Sequence, residues 1–123
     1  MSTRRFLAQV HNNLGVIYSE RNDYQRARAE YETAVHFDRR LSAAWYNLGK
    51  DLQKQGQLKA TKRAFSKALQ LNPNDTWALN NRAMAYMALQ QTAKARRDLE
   101  EALLIDPAFE QARQNLSDLA AKP

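Results

Sequence analysis

Apolar residues in this chain return at intervals of three and four along almost its whole length, so amphipathic helices are expected nearly everywhere. Leu14 with Tyr18, Leu48 with Leu52, and Tyr86 mark one set of helices, and Tyr31, Phe65 and Leu99 answer from a second set. The punctuation fits that pattern. Asn22 and Gly56 tolerate the left-handed backbone that ends a helix, Asp23 is placed to cap the next one, and Pro73 and Pro107 stop later helices.

Sliding the sequence on itself brings out a period of 34 residues: Leu14 falls on Leu48, Gly15 on Gly49, Ala34 on Ala68 and Ala102, and Pro73 on Pro107. The repeats run over 8–41, 42–75 and 76–109, and 110–120 begin a fourth copy without its second helix. Each helix pair then buries one stripe against its own partner and another against the next repeat, so no repeat is stable alone. Small residues are required where the two helices come closest. Gly15, Gly49 and Ala83 take the first such position and Ala34, Ala68 and Ala102 the other; a bulky replacement would overpack the pair.

Trp45, Leu48, Gly49, Phe65, Ala68 and Pro73 follow the pattern W-x2-L-G-x2-Y, A-x3-F, P. On these residues the chain resembles the tetratricopeptide repeat family over nearly its whole length. The resemblance implies a single domain over 1–123, an all-α, right-handed helical solenoid of three antiparallel helix pairs plus a capping helix, seven helices in all, with Ala112, Leu116 and Leu119 fitting the cap. The sequence departs from the pattern at several places. His11 and Leu79 replace the tryptophan, Arg82 the leucine, Thr61 an alanine, and Arg39 stands where the later repeats have proline, so the turn after repeat one is expected to differ locally.

Placed at 100° steps around the first helix of each repeat, core positions 4, 7, 8 and 11 cluster within about 60°, and positions 2, 5, 6, 9, 12 and 13 point the other way. In the family that second face lines a concave groove that receives peptides. The candidate binding residues are Asn12, Asn13 and Val16 from repeat one, Tyr46, Asn47, Lys50 and Lys54 from repeat two, and Trp77, Asn80, Asn81, Met84 and Met87 from repeat three, with Asn115 beyond. A face carrying Trp, Tyr and Met is more apolar than solvation requires, and methionine adapts to varied shapes.

Asn13, Asn47, Asn81 and Asn115 are spaced by 34 residues and form a ladder of amides, each offering a donor and an acceptor to an extended peptide backbone. Some family members use such a ladder this way; asparagine at this position also serves solubility or local hydrogen bonding. The family's two-carboxylate clamp, which grips the C-termini of heat-shock proteins, asks for Lys, Asn, Asn, Lys and Arg where this chain has Asn12, Val16, Asn47, Trp77 and Asn81. Only Asn47 matches, so the cations that neutralise a terminal carboxylate are missing.

The net charge of +6 sits in Arg4, Arg5 and the second repeat, where 42–75 hold six basic and two acidic side chains. Lys50 and Lys54 face the groove, favouring an acidic partner, while Lys59, Lys62, Arg63 and Lys67 lie on the second helix as an ordinary solvated run. There is no cysteine, and His11 and His36 have no second ligand at metal spacing, so no metal, cofactor or thiol chemistry is expected. No phosphate loop or catalytic triad can be assembled, and an enzyme is the least favoured class. Apolar runs are far too short for a membrane span, no signal segment is read at the start, and cytoplasm is the default compartment. The reading is a protein interaction module that binds a segment with apolar anchors and acidic residues. The alternatives are a structural unit that oligomerises through its ends, using Phe6, Leu7, Leu116 and Leu119, and a nucleic-acid adaptor using the basic second repeat.

Overall fold

The computed structural model describes residues 2–121; Met1 and the last two residues of the domain read over 1–123 lie outside the described residues. Seven helices follow one another: α1 (Thr3–Glu20), α2 (Tyr24–Phe37), α3 (Ser42–Lys54), α4 (Leu58–Leu71), α5 (Thr76–Ala88), α6 (Thr92–Ile105) and α7 (Glu110–Ala121). Among the described residues there is no strand. The helices stack as antiparallel pairs α1/α2, α3/α4 and α5/α6, each packed on the next, with α7 closing the row against α6.

Within each pair the turn is built on one residue of left-handed backbone: Asn22 at φ 60°, Gly56 at 74° and Gln90 at 61°. The amide of the following residue closes the turn, Asp23, Gln57 and Gln91 donating to the carbonyls of Tyr18, Leu52 and Tyr86 at 2.9, 3.0 and 2.8 Å. Asn22 and Gly56 are residue types that accept this geometry; Gln90 is not, and only its register in the repeat marks it. Asp23 caps α2 by accepting from the Arg26 amide at 3.3 Å.

Between pairs, Asp38, Asn72 and Asp106 end α2, α4 and α6 with nearly the same extended backbone, φ −143°, −140° and −135°. Each amide donates back to the alanine four residues earlier, Ala34, Ala68 or Ala102, at 2.8–2.9 Å. The turn after repeat one keeps this helix end despite Arg39 and differs locally where α3 begins: Leu41 gives no side-chain cap and accepts from the Ala44 amide at 3.1 Å, whereas Asp75 caps α5 by accepting from the Ala78 amide at 3.1 Å. The hydrogen bond at the preceding residue sets the turn, and Pro73 and Pro107 stand two residues past their helices, where they bar continuation.

Tyr31, Phe65 and Leu99 fill the centre of each pair and are at most 2% exposed. Opposite them stand Gly15, Gly49 and Ala83. A Cβ on Gly49 would lie 2.8 Å from the Phe65 ring, and one on Gly15 would overlap the Tyr31 ring. Where the second helix offers a full aromatic ring the first has glycine; where it offers the smaller Leu99, alanine fits.

The first helices approach one another, α1 to α3, α3 to α5 and α5 to α7, whereas among the described residues the backbones of α2, α4 and α6 stay apart. The first helices thus line an inner face, and the second helices splay on an outer one. That asymmetry decides which side chains a partner can reach.

Candidate functional site

The inner face is organised by the position-six asparagines. The Asn47 amide donates to Asn12 Oδ1 at 3.1 Å, Asn81 to the Tyr46 hydroxyl at 3.3 Å, and Asn115 to Asn80 Oδ1 at 2.8 Å. Each bond spans 35 residues and ties a repeat to the one before it. Asn13, with no earlier repeat to reach, is exposed.

Two groove candidates are corrected by this arrangement. Asn12 and Asn80, 7% and 1% exposed, sit beneath the face as acceptors for the next repeat and are not open to a partner. Position five lies nearer the helix contact than the 100° projection places it, because α1 and α5 also have a neighbouring first helix on that flank. Tyr46 is half-buried, with its ring 5.7 Å from Phe65, and burial raises its pKa above the ordinary phenol value. The Asn47, Asn81 and Asn115 amides keep one further N–H each for other partners, and Asn47 and Asn115 a carbonyl oxygen as well, the Asn81 oxygen accepting from Asn80 at 3.5 Å.

The remaining candidates spread over two zones. In repeat three, Trp77 is 48% exposed and Met84 38% exposed, with the Trp77 indole held edge-on to Phe109 at 4.8 Å and Met87 half-buried against the core. In repeats one and two, Val16, Asn47, Lys50 and Lys54 line a cleft of about 230 Å³ between α1 and α3. The Lys50 ammonium lies 5.4 Å from the centre of the Tyr46 ring and that of Lys54 5.6 Å from Tyr24, so aromatic faces hold both cations above the groove.

At the base of that cleft is a residue the sequence reading missed. Asp51 is 2% exposed; its Oδ1 accepts from the Ser19 hydroxyl at 2.8 Å, while its Oδ2 has no protein partner. Burial pushes its carboxyl above the usual range, against the opposing pull of Ser19, Lys54 and Lys50. Its register offered the one available signal, since the equivalent positions carry Ile17 and Ala85 and only repeat two has a charge there.

Two of the sequence departures, Arg82 and His11, resolve into polar pairs at one register. Arg82 makes a two-pronged contact with Asp98, both N–O distances 2.7 Å, and a third bond to the Ser66 hydroxyl at 3.2 Å. His11, stacked on Phe37 at 5.6 Å, places Nδ1 2.6 Å from Glu30. Glu30 and Asp98 occupy the same repeat position, where repeat two has Ala64 beside Trp45 and Leu48. A polar residue on the second helix appears where the first helix supplies its partner.

At the far end of the solenoid, Leu119 is 5% exposed and is not offered for end-to-end contact, while Leu116 is half-buried against the same core. Phe6 at the other end is exposed. Among the described residues no group of three or more His, Asp or Glu could hold a metal, and no helix is long and apolar enough to cross a membrane.

Models of the tetratricopeptide repeat match residues 42–75 in one form and 8–40 and 77–114 in another. Hsp70-Hsp90 organizing protein 1 of Glycine max is 30% identical over 88 residues, 72% of this chain and 15% of that protein. The chloroplastic tetratricopeptide repeat domain-containing protein PYG7 of Arabidopsis thaliana is 36% identical over 69 residues, 56% of this chain and 23% of that protein. The chain thus spans about 15% of the length of the first of these relatives. Among solved structures, the second TPR domain of human RPAP3 in complex with the HSP70 peptide SGPTIEEVD superposes with a TM-score of 0.92 at 22% identity, over 97% of this chain and 99% of that one. The first TPR of Spaghetti, bound to the HSP90 peptide SRMEEVD, gives 0.91 at 22% identity, over 94% and 92%. At that identity the likeness establishes the fold.

Proposed function

The chain belongs to the tetratricopeptide repeat family, a non-catalytic interaction module, and from that premise we propose that its inner face holds an extended acidic segment with apolar anchors. One observation carries the reading. The inner face sets two cations, Lys50 and Lys54, at one end and an exposed apolar patch, Trp77 with Met84, at the other. Carboxylates of the bound segment lie against the lysines and its apolar side chains against the indole, the pairing of charge and aromatic anchor that dominates binding energy in small interfaces.

The solved neighbours Spaghetti and RPAP3 hold an HSP90 and an HSP70 peptide, SRMEEVD and SGPTIEEVD, both acidic, and an acidic segment is the partner class proposed here as well. The grip differs. A terminal carboxylate clamp needs cations that Asn12, Trp77 and Asn81 do not supply, so the acidic side chains along the segment matter more than its C-terminus.

The test is a fluorescence-polarisation screen of acidic nonapeptides with one or two bulky apolar residues, with SRMEEVD included, against the wild-type chain and Trp77→Ala. Trp77→Ala weakens the best ligand at least tenfold, about 1.4 kcal/mol, and amidating that ligand's C-terminus changes Kd less than threefold. Unchanged affinity in Trp77→Ala would sink the assignment of the inner face, and a large amidation effect would sink the departure from the clamp.

A further inference from the structure

The outer face carries a second feature that the inner-face reading leaves unused. The backbones of α2 and α4 stand apart, bridged at one end by the Arg28 guanidinium donating to Gln57 Oε1 at 3.4 Å, so α3 is visible between them, and the gap is a cleft of about 430 Å³ floored by Trp45, Leu48 and Leu52. Its rim is made by Arg28, Arg39, Arg63 and Lys67, and no carboxylate lines it. Arg63 and Lys67 belong to the basic run of α4 that sequence alone assigns to solvent; here they stand with two arginines of repeat one around an apolar floor. Arg28 shares its charge with Glu32 at 3.4 Å, outside the lining; among the described residues Arg39, Arg63 and Lys67 make no ion pair.

The next gap along the solenoid is an internal control. At the same register, 34 residues on, the floor is Leu79, Arg82 and Tyr86, closed by the Arg82–Asp98 pair, and Glu101 replaces Lys67 on the rim. The repeat therefore also packs with a polar gap in which two carboxylates, Asp98 and Glu101, stand among the cations Arg82, Lys94 and Arg97, and helix packing alone does not dictate the apolar floor and carboxylate-free rim of the first one. Leu48 and Leu52 are 6% and 3% exposed, so the apolar surface on offer is chiefly the half-buried Trp45 indole. Its Nε1–H is already committed to the Arg39 carbonyl at 3.1 Å, which fixes the ring and leaves it to make apolar contact.

We propose that the outer cleft between α2 and α4 is a second docking site, for an acidic polypeptide segment that sets one bulky apolar side chain against Trp45 between flanking carboxylates. Charge complementarity selects the acidic segment: a ring of four cations without a lining carboxylate attracts it and repels a basic one. Trp45 alone among the lining residues is aromatic, and a single half-buried indole offers no run of platforms for successive bases to stack on, which favours a polypeptide over a nucleic acid. The site is separate from the inner face and stands or falls without it.

The chain's two tryptophans divide between the faces, Trp45 on the outer and Trp77 on the inner, so each indole N–H resonance reports on one site. The experiment titrates 15N-labelled protein with the end-blocked heptapeptide Glu-Asp-Glu-Phe-Glu-Asp-Glu. The Trp45 indole signal moves saturably in the wild-type chain. In Arg63→Glu/Lys67→Glu, on the exposed side of α4 and checked for an unchanged unfolding midpoint, the Trp45 response weakens at least tenfold while the Trp77 response stays as it was. A stationary Trp45 signal overturns the proposal, as does a shift that survives the double variant. A decauridylate that moves Trp45 at lower concentration than the peptide overturns the polypeptide occupant. If Trp77 alone responds, the inner-face reading stands and the outer site falls.

Discussion

Two single residues carry charges into places where the repeat ordinarily has none, and they have opposite consequences. Arg82 is matched: its guanidinium and the Asp98 carboxylate meet at 2.7 Å twice, with Ser66 as a third partner. Arg82→Leu restores the family's residue yet strands Asp98, 6% exposed, and should destabilise by about 3 kcal/mol. The double change Arg82→Leu/Asp98→Ala reproduces the Leu48 and Ala64 of repeat two and should return to within about 1 kcal/mol of wild type in urea denaturation; equal losses in both would refute the pairing. Asp51 is unmatched at one oxygen, and burial raises its pKa. The folded chain therefore takes up this proton more readily than the unfolded chain, so stability falls as pH rises from the ordinary carboxylate value, near 4, through the raised one. Asp51→Asn keeps an oxygen for Ser19 and removes that charge. Its stability should exceed wild type at pH 7 on the order of 1 kcal/mol and equal it at pH 3, as followed by thermal melts; a gain that persists in acid would contradict the account.

At the scale of the helix pair, the small residue of one helix is set by the ring on the other. Gly49 faces Phe65 and Gly15 faces Tyr31, and at the same register of repeat three Ala83 and Leu99 share one buried cluster. Gly49→Ala places a methyl 2.8 Å from the Phe65 ring and should cost about 1–3 kcal/mol. Adding Phe65→Leu copies the third pair, so the double variant should lose less than the sum of the single changes, a coupling that a double-mutant cycle measures. The helices and their pairing were legible in the sequence because they rest on periodic apolar and small residues that each repeat states again. What was not legible depends on contacts between repeats. The 34-residue period shows that Asn47, Asn81 and Asn115 share a register, but not that each amide reaches back to the previous helix, nor that Asn12 and Asn80 are buried to receive them. Likewise the helix end before Arg39 keeps its form because a backbone bond from Asp38 to Ala34 sets it, and proline only accompanies that bond elsewhere.

For the whole molecule, stacking the pairs makes two surfaces of different character from one repeated sequence. The inner face takes its chemistry from positions that vary between repeats, lysine in the second and tryptophan with methionine in the third, while the shared asparagines join the repeats together. Of the thirteen residues the sequence nominated, the structure puts the exposed apolar patch and the lysine cleft along one face and withdraws Asn12 and Asn80 beneath it. The central claim is that a segment lies along this face. It is tested most directly by a 1H–15N shift map of the chain saturated with its tightest acidic peptide. The largest changes should fall on Val16, Asn47, Lys50, Lys54, Trp77 and Met84, on three successive first helices. A map in which these six stay silent while the peptide binds would contradict it.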